Sequence, residues 1–221
     1  LATCKVSIVL CDFIIIMEIE QRIINKTHEL FMRYGIRSVS MDDIAYHLGM
    51  SKKTIYQYYK DKDDLVKAVV SFELKSHELS CQKCKSNADN AVHEMFLMME
   101  TMKEMAKTMN PGSMMELERY FPSAFDIIKN HKEDYFLSLI KQNLIKGVEQ
   151  GVYRNNIDVD IISKFRLETI FIPFNLHIFP LTKFDSITVH SQLMEHFVYG
   201  LMTVKGYEIM ENYKQLSKQA I

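Results

Sequence analysis

Residues 40–59, SMDDIAYHLGMSKKTIYQYY, leave a chain few choices of fold. Ser40 stands where a helix N-cap belongs, and Asp42 and Asp43 come next in the first turn, where carboxylates suit the positive end of the helix dipole. Ile44, Ala45 and Leu48 then form an apolar stripe at helical spacing, Gly49 stops the helix, and Ser51 caps the next. Two helices this short cannot stand alone in water, because their stability comes from burying a stripe against other elements. They need a partner helix on each side, and the sequence supplies both.

Upstream, Ile19, Ile23, Ile24, Leu30, Phe31 and Tyr34 share one helical face from residue 18 to residue 34, and Gly35 ends that helix. Downstream, Asp61 caps a longer helix that runs through Leu65, Val69, Phe72 and Leu74 toward Cys84. The third helix is expected to run from Ser51 to about Lys60. Three short helices and one long one, with a Gly turn between the second and third, make a helix-turn-helix unit over 17–77. The rest of the chain agrees with an all-α fold. With 7 Gly and 4 Pro in 221 residues, the regular turns of an all-β fold are missing.

A net charge of −1 excludes binding to nucleic acid through bulk positive charge, so any such role must be local. Residues 51–62 carry four Lys against one Asp, a local charge of +3. On a wheel of about 100° per residue, Lys52, Lys53, Tyr56, Gln57 and Lys60 fall within roughly 140° of one another, and Ile55, Tyr58 and Tyr59 occupy the opposite side. One face can pack while the other presents amines, a phenol and an amide, the groups that reach phosphates and base edges.

The run SVSMDDIAYHLGMSKKTIYQYYKDKDDL resembles the DNA-binding signature of the TetR family of bacterial transcriptional regulators, and LFMRYG resembles that family's first-helix segment. The likeness covers about 17–75, with Tyr59 where Phe is usual. It implies a dimeric, DNA-binding regulator without a cofactor. Ser40 and Thr54 would bond phosphates, Lys52, Lys53 and Gln57 would face the major groove, and Tyr56 and Tyr58 would lie against the DNA backbone. Lys62 would clamp a phosphate. The wheel turns Tyr58 inward, against the resemblance.

Polar residues 85–90, KSNADN, read as the boundary to a larger helical domain over 85–221, with helical runs at about 91–109, 113–120, 123–130, 132–150, 158–176 and 186–215. Pro173 and Pro180 must kink or interrupt the helix that carries IFIPFNLHIFP. Met is dense from 95 to 115, and flexible thioethers line adaptable pockets as readily as they fill cores. A pocket for a hydrophobic or aromatic effector is expected from Phe96, Met99, Met102, Phe171, Phe174 and His177. The resemblance further implies that the last long helices pair with a second copy of the chain, through Ile161, Ile162, Phe165, Leu193, Phe197, Leu201 and Val204. The same positions would serve an internal core.

Residues 1–16, LATCKVSIVLCDFIII, are apolar and lack the amphipathic period that begins at residue 18. They are expected to be a leader foreign to the folded protein, with Met17 as the natural start. A loose arm or a membrane signal are the alternatives. His77, Cys81 and Cys84 share one helix face and are open to three readings, as metal ligands, as a redox pair or as plain thiols of a reducing cytoplasm. The expected function is an operator-binding regulator, a repressor that a small ligand releases from an inverted repeat in double-stranded DNA. An activator, a regulator without effector, a helical adaptor and an all-α enzyme are the alternatives. No nucleotide, hydrolase or zinc-protease motif is present.

Overall fold

The computed structural model describes residues 2–110 and 112–219, with side chains from 17 onward apart from Thr108. The fold is all-α, in eleven α-helices among the described residues. α1 spans Ala2–Tyr34, α2 Met41–Leu48, α3 Lys52–Tyr56 and α4 Lys62–Asn87. α5 spans Ala91–Thr108, α6 Ser113–Tyr120, α7 Pro122–His131 and α8 Leu137–Glu149. α9 spans Val159–Thr169, α10 Ser186–Leu201 and α11 Val204–Gln219. The first helix was expected to open at about residue 18, but the backbone is helical from Ala2; the side chains of the leader expected at 1–16 lie outside the described ones.

Local chemistry sets the early boundaries. Ser40, Ser51 and Asp61 cap α2, α3 and α4, each accepting from a backbone N–H three residues on. Gly49 closes α2 at φ 64°, a left-handed conformation in which a glycine has no Cβ to clash. α3 is shorter than the wheel assumed, ending at Tyr56 rather than about Lys60. The Tyr58 and Tyr59 N–H groups both donate to the Ile55 carbonyl at 3.0 Å, so the chain turns out of the helix in time for Asp61 to cap α4.

Later boundaries depend on distant partners. α7 and α8 are joined by a π-helical turn, Lys132–Phe136, into one continuous rod where two helices were expected. The run 158–176 becomes α9 plus a 3-10 turn, Ile172–Phe174, at Pro173. The run 186–215 breaks at Met202, which pairs with Tyr153 across the chain, and the Thr203 N–H donates to the Val152 carbonyl at 3.0 Å. Gly147 is required there by close approach, since a Cβ would sit 2.0 Å from the Tyr153 ring.

Two buried clusters result. The first joins Ile23, Leu30, Phe31, Ile44, Ile55, Leu65 and Val66 to Leu117, Phe121, Ala124 and Ile128 of α6 and α7. The second joins Ala91, Val92, Phe96 and Met99 of α5 to Leu144, Tyr153, Val198, Leu201 and Met210. The packing therefore does not divide at 85–90, because α6 and α7 close over the N-terminal helices.

Candidate nucleic-acid interface and ligand cavity

α3 is held by Ile55, fully buried, and by Tyr59, 4% exposed, both on the first core. Its outer face carries Lys53, Tyr56 and Gln57, all exposed and able to meet another molecule. Lys52 Nζ donates to Asp42 Oδ2 at 2.8 Å, which holds its amine above the usual value. That pair lies in water, where a phosphate can compete for the lysine. Thr54 is half-buried with its Oγ1 2.8 Å from Ser51 Oγ, and its N–H donates to that same oxygen at 3.0 Å.

Three of the residues expected at DNA are engaged within the chain. Ser40 commits its hydroxyl to a capping box, donating to Asp43 Oδ2 at 2.6 Å and accepting from the Asp43 N–H at 3.1 Å. That carboxyl, kept low by its bonds with Ser40, would repel a phosphate placed there. Tyr58 is half-buried against the first core, as the wheel had it and not as the resemblance implied. Lys62, half-buried, turns its amine onto the chain itself. Its Nζ donates to the Ile36 and Arg37 carbonyls at 2.7 and 3.2 Å and lies 5.5 Å from the Phe121 ring, and burial lowers its pKa.

The turn that Lys62 holds is gripped from the other side. Glu116 of α6 accepts from the Ile36 and Arg37 N–H groups at 2.7 and 3.0 Å. Arg37 in turn donates to the Tyr120 hydroxyl at 3.2 Å, its guanidinium 4.7 Å above that ring. The loop that leads into α2 is thus fastened to α4 and α6 together.

A cavity of about 270 Å³ opens behind that latch, lined from α1 and from α4 through α10. Its walls are largely apolar. α5 presents Met95, Met98, Met102 and Met105, with Met109 just past its end, while Phe171 and Phe174 come from the chain after α9. Met102, Phe171 and Phe174 therefore stand where expected. Phe96 and Met99 do not, because α5 is buried on two sides and they face the second core. Phe96 stacks on Tyr213 at 5.8 Å, and Met99 is 3% exposed. His177 is exposed in the turn after Pro173, and His190 of α10 enters the wall in its place, edge-on to Phe174 at 4.7 Å.

Few polar groups reach the cavity. Glu73 of α4 lies 2.5 Å from His28 Nε2 and 3.0 Å from His77 Nε2. Burial alone would raise its pKa, but the bonds with both histidines hold its carboxyl well below the usual range. Arg166 enters from α9, buried, with its Nη2 donating to Met194 Sδ at 2.8 Å. Cys81 and Cys84 are free thiols, and burial pushes Cys81 up to about 11, away from the reactive thiolate. Among the described residues no group of three His, Cys, Asp or Glu is placed to hold a metal.

The family model for bacterial regulatory proteins of the tetR family matches residues 23–69, from within α1 to within α4. An uncharacterized HTH-type transcriptional regulator of Bacillus subtilis, YvaF, is 31% identical over 144 residues, 64% of this chain and 74% of that protein. The chain belongs to the TetR family.

The TetR-family fold extends past the matched span. A TetR regulator from Haloarcula marismortui superposes with a TM-score of 0.69 at 17% identity, over 83% of this chain and 98% of that one. The transcriptional regulator FadR of Bacillus subtilis, solved in complex with stearoyl-CoA, superposes with a TM-score of 0.62 at 17% identity, over 82% and 98% of the two chains.

In this TetR-family chain the expected subunit-contact positions split. Ile161, Phe165 and Val204 are 66%, 55% and 77% exposed, and Leu193 is half-buried. Leu201 and Phe197 are corrected: they are 2% and 8% exposed in the single chain and belong to the second core. Two residues outside the expected set stand out. Tyr46 is 83% exposed on α2, and its position opposite Ile44, Ala45 and Leu48 is readable from the stripe. Arg166 lies on the buried stripe of Ser163, Leu167 and Ile170, so a wheel of α9 would have placed a charge inside.

Proposed function

We propose that the chain is a repressor that binds an inverted-repeat operator as a homodimer and is released by a small, largely apolar ligand. One observation carries this reading: the cavity and the DNA-reading unit share α4. Val66, Val69, Glu73 and His77 of that helix line the cavity, and Lys62 at its start holds the loop into α2. A ligand that repacks the Met side chains therefore pushes on the helix that sets the position of α3. Lys53, Tyr56 and Gln57 are the exposed groups left to touch DNA. Exposed Ile161, Phe165 and Val204, beside Tyr207 at 51% exposure, supply an apolar face for a second copy.

A dimer reads two half-sites only when its α3 helices lie about one DNA turn apart, roughly 34–36 Å, or a multiple of it. A ligand that favours another spacing must do so through its own differential affinity, and operator DNA must then weaken ligand binding by the same factor. That a structural neighbour is solved with stearoyl-CoA fits an apolar effector. No helix among the described residues is long and apolar enough to cross a membrane.

Fluorescence anisotropy with a duplex from the chain's own promoter, set against a scrambled duplex, tests the reading. Preference for the promoter duplex of at least about 10³-fold is expected at physiological salt. Equal binding to the two duplexes would remove the operator. Calorimetry with a cavity ligand then tests release, and a ligand affinity unmoved by operator DNA would remove the coupling.

A further inference from the structure

Among the described residues, Arg166 is a buried charge without a counter-charge. It is 7% exposed, and burial pushes its pKa down to about 10 with no acidic group acting on it. The other charged residues of α9 past its first residue are paired. Asp160 lies 2.5 Å from Lys141, Lys164 2.5 Å from Glu133, and Glu168 2.8 Å from Lys132. Arg166 has only the Met194 thioether at 2.8 Å and the face of Phe197 at 5.1 Å. A thioether is a weak acceptor, and a guanidinium has five N–H donors to satisfy. Folding a guanidinium into an apolar wall in this state is unfavourable, because a buried charge needs a partner.

The arginine lies in the wall of the cavity, and so does His190, whose charged form is disfavoured by burial and by Arg166 itself. The carboxylate of the cavity, Glu73, is engaged by His28 and His77 on α1 and α4 and does not act on Arg166. The cavity thus has one cation, Arg166 on α9, a carboxylate on α4 already engaged by His28 and His77, and otherwise walls largely of Met, Phe and aliphatic side chains.

We propose that Arg166 anchors the carboxylate of an apolar monocarboxylic acid whose hydrocarbon body fills the Met-lined cavity. The fork of a guanidinium matches the two oxygens of a carboxylate in a bidentate pair. A phosphate dianion would bring a second charge for which the wall offers no second cation. This inference rests on reading the cavity as a ligand site, and it names the class of ligand that the site takes.

Octanoate and octan-1-ol share a hydrocarbon body and differ at the head group, so they are the probes. Titrated by calorimetry into the full chain, octanoate is expected to bind at least about 10-fold more tightly than octan-1-ol, and to raise the melting temperature progressively with its concentration. In R166M the two should bind within about 2-fold of each other, while R166K should keep part of the preference. The unliganded R166M chain should melt at or above the temperature of the parent, since a thioether side chain of similar length replaces an unpaired charge. A parent chain that binds octan-1-ol as well as octanoate, or neither, overturns the anchor, and this comparison needs no variant. An R166M chain that keeps the preference overturns it too. The proposed effector function fails separately: if octanoate binds through Arg166 and leaves operator affinity unchanged, the anchor stands and release by ligand does not.

Discussion

In the helix-turn-helix each helix start is fixed by a side chain three residues away: Ser40 with Asp43, Ser51 with Thr54, Asp61 with Asp64. The cavity draws its walls from His28 on α1 to Met194 on α10, and no two neighbouring helices contain enough of it to predict the rest. The first plan leaves its polar groups outside, on Lys53, Tyr56 and Gln57, and its apolar ones inside. The second does the reverse with Glu73 and Arg166. The reader is local and its chemistry faces water; the cavity is assembled at a distance and its chemistry is hidden. The two are nevertheless one packed body, since the first core includes Leu117, Phe121, Ala124 and Ile128 from beyond α5.

The largest expected effect attacks that last point. Phe121, 8% exposed, packs into the first core from outside the segment that carries the DNA-reading signature. Phe121→Ala should cost about 3–5 kcal/mol of global stability. Denaturant unfolding followed by far-ultraviolet circular dichroism measures the loss. Hydrogen exchange at the amides of α2 and α3 decides the comparison: their protection should fall along with that of α7. If α2 and α3 keep their protection, the reader is an independent unit and the single packed body is wrong.

Legibility from sequence divides along the same line. Stripe, cap and Gly49 located α2, α3 and the start of α4, because each signal and its effect lie within one helical turn. Tyr58 is half-buried on the side where the wheel put it. The intramolecular partners of Ser40 and Lys62 were not legible, because residue type says nothing of where a side chain points. Lys62 finds its partners, the Ile36 and Arg37 carbonyls, some 25 residues back. In the second half, Met density located α5 but not which face would be wet by a ligand. Phe96 and Met99 differ from Met98 and Met102 only in which neighbours α5 meets, and those neighbours are α10 and α11.

Next in size is the division of labour on the reading face. Lys53→Ala or Gln57→Ala should relax base preference at one half-site position and cost about 1–3 kcal/mol on the operator, with little loss on random DNA. Binding measured against a panel of half-site variants reads this directly. Equal losses on operator and random sequence would place both side chains on phosphates instead.

The hidden chemistry has its own test, which acts only in acid. Glu73 stays ionised in the folded chain to well below the usual carboxylate range, whereas the unfolded chain takes up that proton near about pH 4.3. Its contribution to stability is therefore fully present above about pH 4.3 and is lost as the pH falls toward the depressed value. Denaturant melts at steps from pH 6 to pH 3 should show Glu73→Gln losing stability less steeply than the parent below pH 4.3. Parallel curves would mean that His28 and His77 do not hold the carboxylate.

The smallest expected effect is the most discriminating, because it is a slope that stays put. A lysine that meets a phosphate releases counterions, and removing it flattens the dependence of log K on log salt by about one unit. Lys62 instead donates from Nζ to the Ile36 and Arg37 carbonyls, at the turn that Glu116 grips from α6. Lys62→Met should therefore weaken operator binding through a loosened α1–α2 turn while the salt slope remains within about 0.3 of the parent's. Lys53→Ala, if its amine approaches a phosphate as well as a base, sets the scale of a real change in the same titration. A full unit lost in Lys62→Met would show the side chain swinging out to DNA, and the latch between reader and cavity would have to be carried by Glu116 alone.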